Sequence, residues 1–264
     1  MVNTTDTSAD VTLFAHRGFA GVSPENTVAA ARRAGSLGAD AIECDVVATA
    51  DGTPVVFHDR RLDDHGSSRG ITDATGAVDE RSTAAVTDAH VLGTDQRVPT
   101  LSAFVDAVPA EVALNVELKH PGTATTGGDA PETELRREQW RPFVERVLDR
   151  LDRDDRSVLF SSFSQSALEV VRSATTDASV APIAWDLDTA VTMAEAVDAE
   201  TVHPSIEGLR SAGAAPVEQY TVNAWTARTW QDARDAVRLG VDGLIADYPT
   251  LLSTVADWRP NGRV

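Results

Sequence analysis

Three carboxylates in two apolar segments of the chain form a pattern that suits divalent metal binding. Glu43 and Asp45 are two residues apart in the first segment, and Glu117 lies in the second. Side chains at positions i and i+2 of a strand point to the same face, so Glu43 and Asp45 should project together. Carboxylate oxygens without a soft ligand beside them bind Mg²⁺, Mn²⁺ or Ca²⁺ in preference to Zn²⁺. We therefore expect Mg²⁺, Mn²⁺ or Ca²⁺ at these residues.

Two histidines and two cationic side chains add the groups that cleavage of a phosphodiester requires. An imidazole side chain can gain or lose a proton near neutral pH, so one of His16 and His58 can accept a proton while the other donates one. Arg17 can grip a phosphate with two parallel hydrogen bonds, and Lys119 adds a point charge beside the third carboxylate. We predict His16 and His58 as catalytic and Arg17 and Lys119 as substrate-binding. Taken singly, Glu43, Asp45 and Glu117 could be ion-pairing residues at strand ends, and His16 could be a core histidine. The joint pattern favours catalysis.

The composition is strongly acidic, with 41 aspartates and glutamates against 23 lysines and arginines and a net charge of −18. Lys119 is the only lysine of the chain, which favours a specific chemical role for it. A lysine-poor acidic surface indicates halophilic adaptation, since the Debye length falls to about 3 Å at 1 M salt. GC-rich codon usage is the alternative explanation. Such a surface argues against binding to nucleic acid or to an anionic membrane.

The first residues and the cysteine content bear on location. Residues 1–10 are polar and contain no apolar run for secretion or stable membrane insertion, so we expect a cytoplasmic protein. Cys44 is the one cysteine, which excludes an intramolecular disulfide, and its setting predicts a buried strand position. The sequence leaves the oligomeric state open.

Apolar strand-like runs alternate with helical patterns along the chain, which predicts one domain over residues 1–264. About eight βα units in order favour parallel strands closed into a (β/α)8 TIM barrel. The histidines and carboxylates fall near the C-terminal ends of strands, which form the catalytic face of such barrels. The predicted strands are Val11–Ala15, Ala41–Val47 with its extension Val55–His58, Val112–Leu118, Val158–Ser162, Val180–Trp185, Thr201–Val202, Thr221–Trp225 and Gly243–Ala246. The predicted helices are Thr27–Leu37, Leu101–Val108, Glu134–Leu151, Gln165–Ala174, Thr189–Val197, Trp230–Leu239 and Thr250–Trp258.

Two segments exceed what a minimal barrel needs. Residues 60–97 follow the second strand and its extension and are rich in Asp, Gly, Ser and Thr. We predict that they form a small insertion capping the catalytic face, because so long an unstructured loop would be unusual. Residues 120–132 contain several glycines and prolines and predict a loop at the same mouth, either a lid or a disordered segment.

Short motifs follow one another in order over nearly the whole chain. They include Ala15-His16-Arg17-Gly18, Pro24-Glu25-Asn26-Thr27, Glu43-Cys44-Asp45, Phe57-His58-Asp59, Val116-Glu117-Leu118-Lys119, Ala224-Trp225-Thr226, and Gly243 leading to Asp247 and Pro249. Together they resemble the glycerophosphodiester phosphodiesterase family. The resemblance implies an eight-fold α/β barrel with a small insertion after the second strand, in agreement with the pattern of predicted elements.

The resemblance also implies a reaction and a role for each site residue. It places a divalent metal at the three carboxylates, acid–base catalysis at the two histidines, and phosphate binding at Arg17 and Lys119. Trp225 is expected as a wall of the site, with a core position as the alternative. The substrate would be a small-molecule glycerophosphodiester, hydrolysed to glycerol phosphate and an alcohol. A free glycerol hydroxyl would attack phosphorus to give a cyclic phosphate that water opens, and the histidine that accepts the first proton is left open.

Two features depart from the family pattern. Arg228 stands where an asparagine commonly follows the Trp-Thr pair, and residues 206–219 look too short for the usual helix. Both bear on the pocket for the leaving alcohol, which the sequence does not identify. Choline, ethanolamine, inositol and glycerol head groups all fit.

Two other functions use similar residues. A phospholipase or sphingomyelinase-like hydrolase of intact lipids can share the barrel and the histidines, but it would need an apolar membrane-facing surface. A non-catalytic phosphate-binding barrel would be signalled by loss of a histidine or a metal carboxylate, and none is lost.

Overall fold

The computed structural model describes residues 11–120, 134–152, 155–213 and 219–257, and every strand predicted from the sequence is present among them. Eight parallel strands pair side by side, and the first bonds to both the second and the last, which closes the barrel. The predicted (β/α)8 barrel is confirmed. Its strands are β1 Thr12–His16, β2 Ala41–Ala48, β4 Ala113–His120, β5 Val158–Ser162, β6 Ser179–Ala184, β7 Thr201–Pro204, β8 Thr221–Ala227 and β9 Gly243–Ala246, while β3, Pro54–Val56, runs antiparallel to β2.

Helices connect the strands. They are α1 Val28–Ser36, α2 Thr83–Thr87, α3 Leu101–Val105, α4 Glu134–Leu151, α5 Gln165–Ala174, α6 Leu187–Val197, α7 Ile206–Ala212, α8 Trp230–Arg238 and α9 Leu251–Asp257. No helix in the described parts of the chain is long and apolar enough to cross a membrane.

Helix α7 lies where the sequence was interpreted as a shortened segment without the usual helix, and that interpretation was wrong. Ser205 caps this helix, because its hydroxyl accepts a hydrogen bond from the backbone N–H of Gly208 at 2.9 Å. An N-cap of this type stabilises a helix by about 1 kcal/mol. Gly213, with a φ of 60°, ends the helix in the left-handed conformation that glycine adopts easily.

The barrel strands place apolar and polar side chains on opposite faces. On β2, Ile42 and Cys44 belong to the main hydrophobic core, and Cys44 is buried as predicted. Glu43 and Asp45 alternate with them and therefore point to the other face, into the barrel. β4 repeats this pattern around Glu117. Slipping either strand by one residue would expose its apolar side chains to the barrel interior, so the hydrophobic core fixes the direction of the carboxylates.

The segment between β3 and α3 packs around a second hydrophobic cluster. It contains a 3-10 helix, Val78–Glu80, and α2, together with isolated β-bridges. The cluster extends from Val47 on β2 to Val98, beyond both predicted limits of the insertion, so the boundaries 60–97 stay a prediction. The loop predicted at residues 120–132 lies, after His120, outside the described residues.

Candidate active site

The pairing of three neighbouring strands brings the predicted site residues together. In the register of β1 with β2, His16 lies beside Glu43. In the register of β2 with β4, Asp45 lies beside Glu117. Because these strands are parallel, their C-terminal parts meet at one end of the barrel, which is where active sites of such barrels lie.

Glu43, Asp45 and Glu117 form a buried carboxylate cluster in which one oxygen of each lies within 4.8 Å of the others. Glu43 Oε1 and Asp45 Oδ1 accept no hydrogen bond from any residue that the structure describes. Burial, and then the negative charges of Asp45 and Glu117, raise the pKa of Glu43 well above its ordinary value. Buried oxygens that accept no hydrogen bond are costly unless a cation or a proton binds them. This all-oxygen donor set therefore fits a hard divalent cation.

The turn after β1 holds Arg17 against the carboxylate cluster. Arg17 has a φ of 54°, in the left-handed region that costs an L-residue roughly 1–2 kcal/mol. Its backbone N–H donates to Glu43 Oε2 at 2.9 Å, and its Nε lies 3.1 Å from Asp45 Oδ2. Gly18 follows with a φ of 76°, and a Cβ atom there would come within 2.7 Å of the Ala30 side chain. The His-Arg-Gly motif thus permits a turn that aims both the backbone and the guanidinium of Arg17 at the carboxylates.

The Glu25-Asn26 pair of the next motif supports this arrangement from one side. Asn26 Nδ2 donates to Asp45 Oδ2 at 2.8 Å, and Glu25 Oε1 accepts from Arg17 Nη1 at 2.9 Å. The two Glu25 oxygens also accept from the Arg69 guanidinium, each at 2.8 Å. Sequence reasoning missed Arg69, because it lies in an irregular segment where no periodicity places a side chain. Glu25 belongs to one of the sequence motifs, but no role was predicted for it.

His16 is buried and is held by an aspartate from the far end of the chain. Its Nδ1 lies 2.5 Å from Asp247 Oδ1, and its Nε2 lies 3.9 Å from Glu43 Oε2. Burial lowers the pKa of His16, and the hydrogen bond to Asp247 opposes this only in part. The neutral imidazole is therefore favoured, with Nδ1–H donating to Asp247 and Nε2 left as the basic nitrogen. Arg228 contacts the same aspartate, since its Nε lies 3.2 Å from Asp247 Oδ2.

His58 is oriented in the same manner by the residue that follows it. Its Nδ1 lies 2.6 Å from Asp59 Oδ1. Asp59 Oδ2 also accepts hydrogen bonds from the backbone N–H of Arg69 at 2.9 Å and from its Nε at 3.1 Å. Although burial opposes it, hydrogen bonding from His58 and Arg69 lowers the pKa of Asp59 to about 2. Asp59 is thus an anion at neutral pH, and it fixes the ring of His58, whose side chain is 29% exposed.

Lys119 lies between the carboxylate cluster and an aromatic ring. Its Nζ lies 2.8 Å from Glu117 Oε1 and 3.6 Å from Asp45 Oδ1, and it is 5.8 Å from the centroid of the Phe163 ring. Burial alone would lower the pKa of Lys119, but the charges of Glu117 and Asp45 raise it above the ordinary value. The lone lysine of the chain is therefore a fixed positive charge at the site.

A cavity of about 360 Å³ joins these groups. The predicted site residues that line it are His16, Arg17, Glu43, His58, Glu117, Lys119 and Trp225. Asp45 is fully buried and does not line the cavity, but it contacts Arg17 and Lys119, which do. Trp225 is partly exposed there, which agrees with a wall, and its Nε1–H donates to the backbone oxygen of His203 at 2.7 Å. Their chemical roles stay predictions.

Other residues that line the cavity were assigned less, or nothing, from the sequence. The ring of His203 is completely buried, which lowers its pKa to about 3 and keeps it neutral. Arg69 and Arg228 also line the cavity and add positive charge beside the histidines. Asp247 was noted at the end of a motif, but its bond to His16 spans 231 residues and carries no local signal.

The fold is a (β/α)8 barrel, and its cavity brings together groups that suit the cleavage of a phosphodiester. The sequence profile of the glycerophosphoryl diester phosphodiesterase family matches residues 16–251. The chain belongs to this family and is thus a member of a family of phosphoric diester hydrolases.

Curated relatives and solved structures agree with this assignment. The chain is 31% identical to the uncharacterised protein YqiK of Bacillus subtilis, over 92% of this chain and 97% of the relative. It is 29% identical to a glycerophosphodiester phosphodiesterase of Bacillus altitudinis, over 90% of this chain and 94% of the relative. A phosphodiesterase of Oleispira antarctica, solved with its product sn-glycerol-3-phosphate, superposes with a TM-score of 0.78 at 24% identity and covers 96% of this chain and 99% of its own. At that identity the structural likeness shows the fold alone.

Proposed function

We propose that the protein hydrolyses small glycerophosphodiesters to glycerol phosphate and an alcohol with the help of a divalent cation. The observation that carries the proposal is one cavity that combines a buried carboxylate cluster, two histidines each paired to an aspartate, and four cationic side chains. The cationic residues are Arg17, Arg69, Lys119 and Arg228. The glycerol phosphate bound to the Oleispira antarctica phosphodiesterase supports the assignment of the product.

Glu43, Asp45 and Glu117 would hold the cation, with Mg²⁺ or Ca²⁺ proposed and Mn²⁺ as the third option. When bound, a cation of this kind polarises a phosphoryl oxygen and offsets the negative charge that develops on it. Arg17 and Lys119 would offset the same negative charge, because they lie at the carboxylates and stay protonated at neutral pH. A phosphate at the cavity would therefore meet fixed positive charge before any side chain moves.

The environments of the two histidines support different roles for them, one as general base and the other as general acid. Burial favours neutral His16, whose Nε2 can accept the proton of the attacking glycerol hydroxyl. The side chain of His58 is more exposed than that of His16, so it can regain a proton from solvent. We therefore assign His58 as the general acid. The hydroxyl oxygen forms a bond to phosphorus, the bond from phosphorus to the leaving oxygen breaks, and His58 gives its proton to the departing alcohol. In the second half the roles reverse, because water opens the cyclic phosphate with the same two groups.

We expect a substrate without the attacking hydroxyl to be inert. A diester of 3-hydroxypropyl phosphate, which lacks the 2-hydroxyl of glycerol, cannot form the five-membered cyclic phosphate. Its turnover should be at least about 100-fold slower than that of the matched glycerol diester, since an intramolecular nucleophile has a large advantage over water. The measurement is product release from both diesters under identical conditions, with ³¹P NMR to detect the cyclic phosphate. Equal rates would remove the glycerol hydroxyl from the mechanism and leave direct attack by water.

The segment proposed as an insertion at residues 60–97 contributes directly to this cavity. Arg69 from this segment binds both Glu25 and Asp59, and so connects the supports of Arg17 and His58. We propose that the segment caps one side of the site. The folding of this segment and the orientation of Arg17 and His58 would then depend on each other.

A further inference from the structure

Three aromatic side chains form a contact cluster beside the phosphate-binding groups. The ring centroids are 4.8 Å apart for Trp185 and Trp225, 5.5 Å for Phe163 and Trp225, and 6.2 Å for Phe163 and Trp185. All three line the cavity that contains the histidines and the carboxylates. We call Phe163, Trp185 and Trp225 the aromatic rim.

Core packing does not account for two members of the aromatic rim, Phe163 and Trp185, whereas Trp225 packs partly against a small buried cluster that contains Phe14. Trp185 is 67% exposed and Phe163 is 42% exposed, in a chain in which aromatic residues make up only 5% of the sequence. Large exposed aromatic groups that cluster at a cavity are a common sign of a binding surface. We therefore expect a group of the bound substrate to cover the exposed indole of Trp185.

The charges around Trp185 indicate which group that is. Trp185 also lines a second cavity, which it shares with the acidic residues Asp186, Asp188 and Glu207. None of the described residues that line it is basic. The substrate thus meets positive charge at its phosphate, from Lys119 and the arginines, and negative charge beyond Trp185. This polarity matches a zwitterion whose cationic end lies at the aromatic rim.

We infer that the leaving alcohol of the substrate carries a quaternary ammonium group and that Trp185 is the residue that selects it. The inference rests on the proposed function, which it extends to the identity of the alcohol. A quaternary ammonium has no N–H group to donate, so aromatic faces and nearby anions are its natural partners. A polyol such as glycerol or inositol would instead require hydrogen-bonding groups that the aromatic rim does not supply.

The test compares two substrates of the same shape. One is glycerophosphocholine, and the other is the glycerol phosphate ester of 3,3-dimethylbutanol, in which a carbon replaces the charged nitrogen. We expect the wild-type protein to have a kcat/KM about tenfold higher for the choline ester, within the range that cation–π contacts provide. Trp185→Leu should reduce this ratio to nearly one, and Trp185→Phe should retain part of it. Trp230→Leu is the matched control, because Trp230 is 40% exposed but lines neither cavity.

The outcomes separate this inference from the proposed function. Hydrolysis of both esters at equal rates by the wild-type protein would overturn the inference while leaving the phosphodiesterase assignment intact. A Trp185→Leu protein that loses the same factor on both esters would overturn it as well. If Trp185→Leu instead lowers only sedimentation with phosphatidylcholine vesicles, the aromatic rim docks on a lipid surface and the inference is wrong. No turnover of either ester by folded wild-type protein would count against the proposed function itself.

Discussion

Replacing His16 or His58 with alanine is expected to lower kcat by about 10²- to 10⁴-fold, the range that one general acid or base contributes. Each imidazole lines the cavity and is held through Nδ1 by an aspartate, at 2.5 Å for His16 and 2.6 Å for His58. That arrangement fixes the ring and leaves Nε2 for proton transfer. Loss of either histidine therefore removes a proton acceptor or donor without removing the groups that bind the phosphate. KM should change far less than kcat.

The measurement is steady-state kinetics on one glycerophosphodiester, with circular dichroism to show that each variant is folded. His65→Ala is the matched control, because His65 is exposed and its described hydrogen bonds are made by its backbone. It should keep the wild-type rate. A His16→Ala or His58→Ala protein that retains a near-normal kcat would exclude that histidine from the mechanism.

Replacing Glu43 with glutamine is expected to have opposite effects on metal binding and on stability. Burial and the charges of Asp45 and Glu117 raise the pKa of Glu43, so the folded protein holds this proton more tightly than the unfolded chain does. The resulting contribution to stability is present below the ordinary glutamate pKa and is lost as the pH rises through the raised pKa. Without metal, the wild-type protein should therefore lose stability towards neutral pH. The Glu43→Gln protein should not show this loss.

The same substitution should weaken metal binding by about 100-fold or more, because even outer partners of metal ligands contribute 10- to 100-fold. Thermal unfolding with chelator across pH 4–8, together with calorimetric titration of Mg²⁺, Mn²⁺ and Ca²⁺, measures both effects. Glu111→Gln is the control, since Glu111 is exposed, does not line the cavity and precedes the N-terminal end of β4, whereas the cavity lies at the C-terminal end of that strand. If the Glu43→Gln protein binds metal like the wild type, Glu43 is not a ligand. If it is less stable than the wild type in chelator at pH 7, the carboxylates do not repel one another as described.

The sequence was sufficient to predict the barrel, and the residues proposed from it for the site do meet at one cavity, because the relevant information is local. Alternation on β2 and β4 places Glu43, Asp45 and Glu117 on one face of the strands. The apolar residues between them are buried in the main hydrophobic core, so the carboxylates point into the barrel. The partners of these residues were not predictable in the same way. Asp247 meets His16 only because β9 pairs with β1 and closes the barrel, and Arg69 is placed by an irregular segment.

Helix α7 shows a different kind of failure, because its signals were present in the sequence. Ser205 is a good N-cap residue, Glu207 lies in the first turn, and Gly213 follows the last turn. Trp185 was also missed, whereas Trp225 was expected as a wall of the site. No local pattern in the sequence distinguishes Trp185, although it is exposed at the cavity. Adaptation to high salt stays a prediction from composition.

The proposed phosphodiesterase activity is measured by the release of glycerol phosphate from a panel of glycerophosphodiesters in molar KCl. Each reaction is run with Mg²⁺, Mn²⁺ or Ca²⁺ and again with excess chelator, alongside dispersed phospholipid and sphingomyelin as intact-lipid substrates. We predict metal-dependent release of glycerol phosphate from the small diesters, abolished by chelator, with slower or no turnover of the intact lipids. Folded protein that releases no glycerol phosphate with any of the three metals would contradict the assignment, and release only from the intact lipids would replace it with a lipid hydrolase.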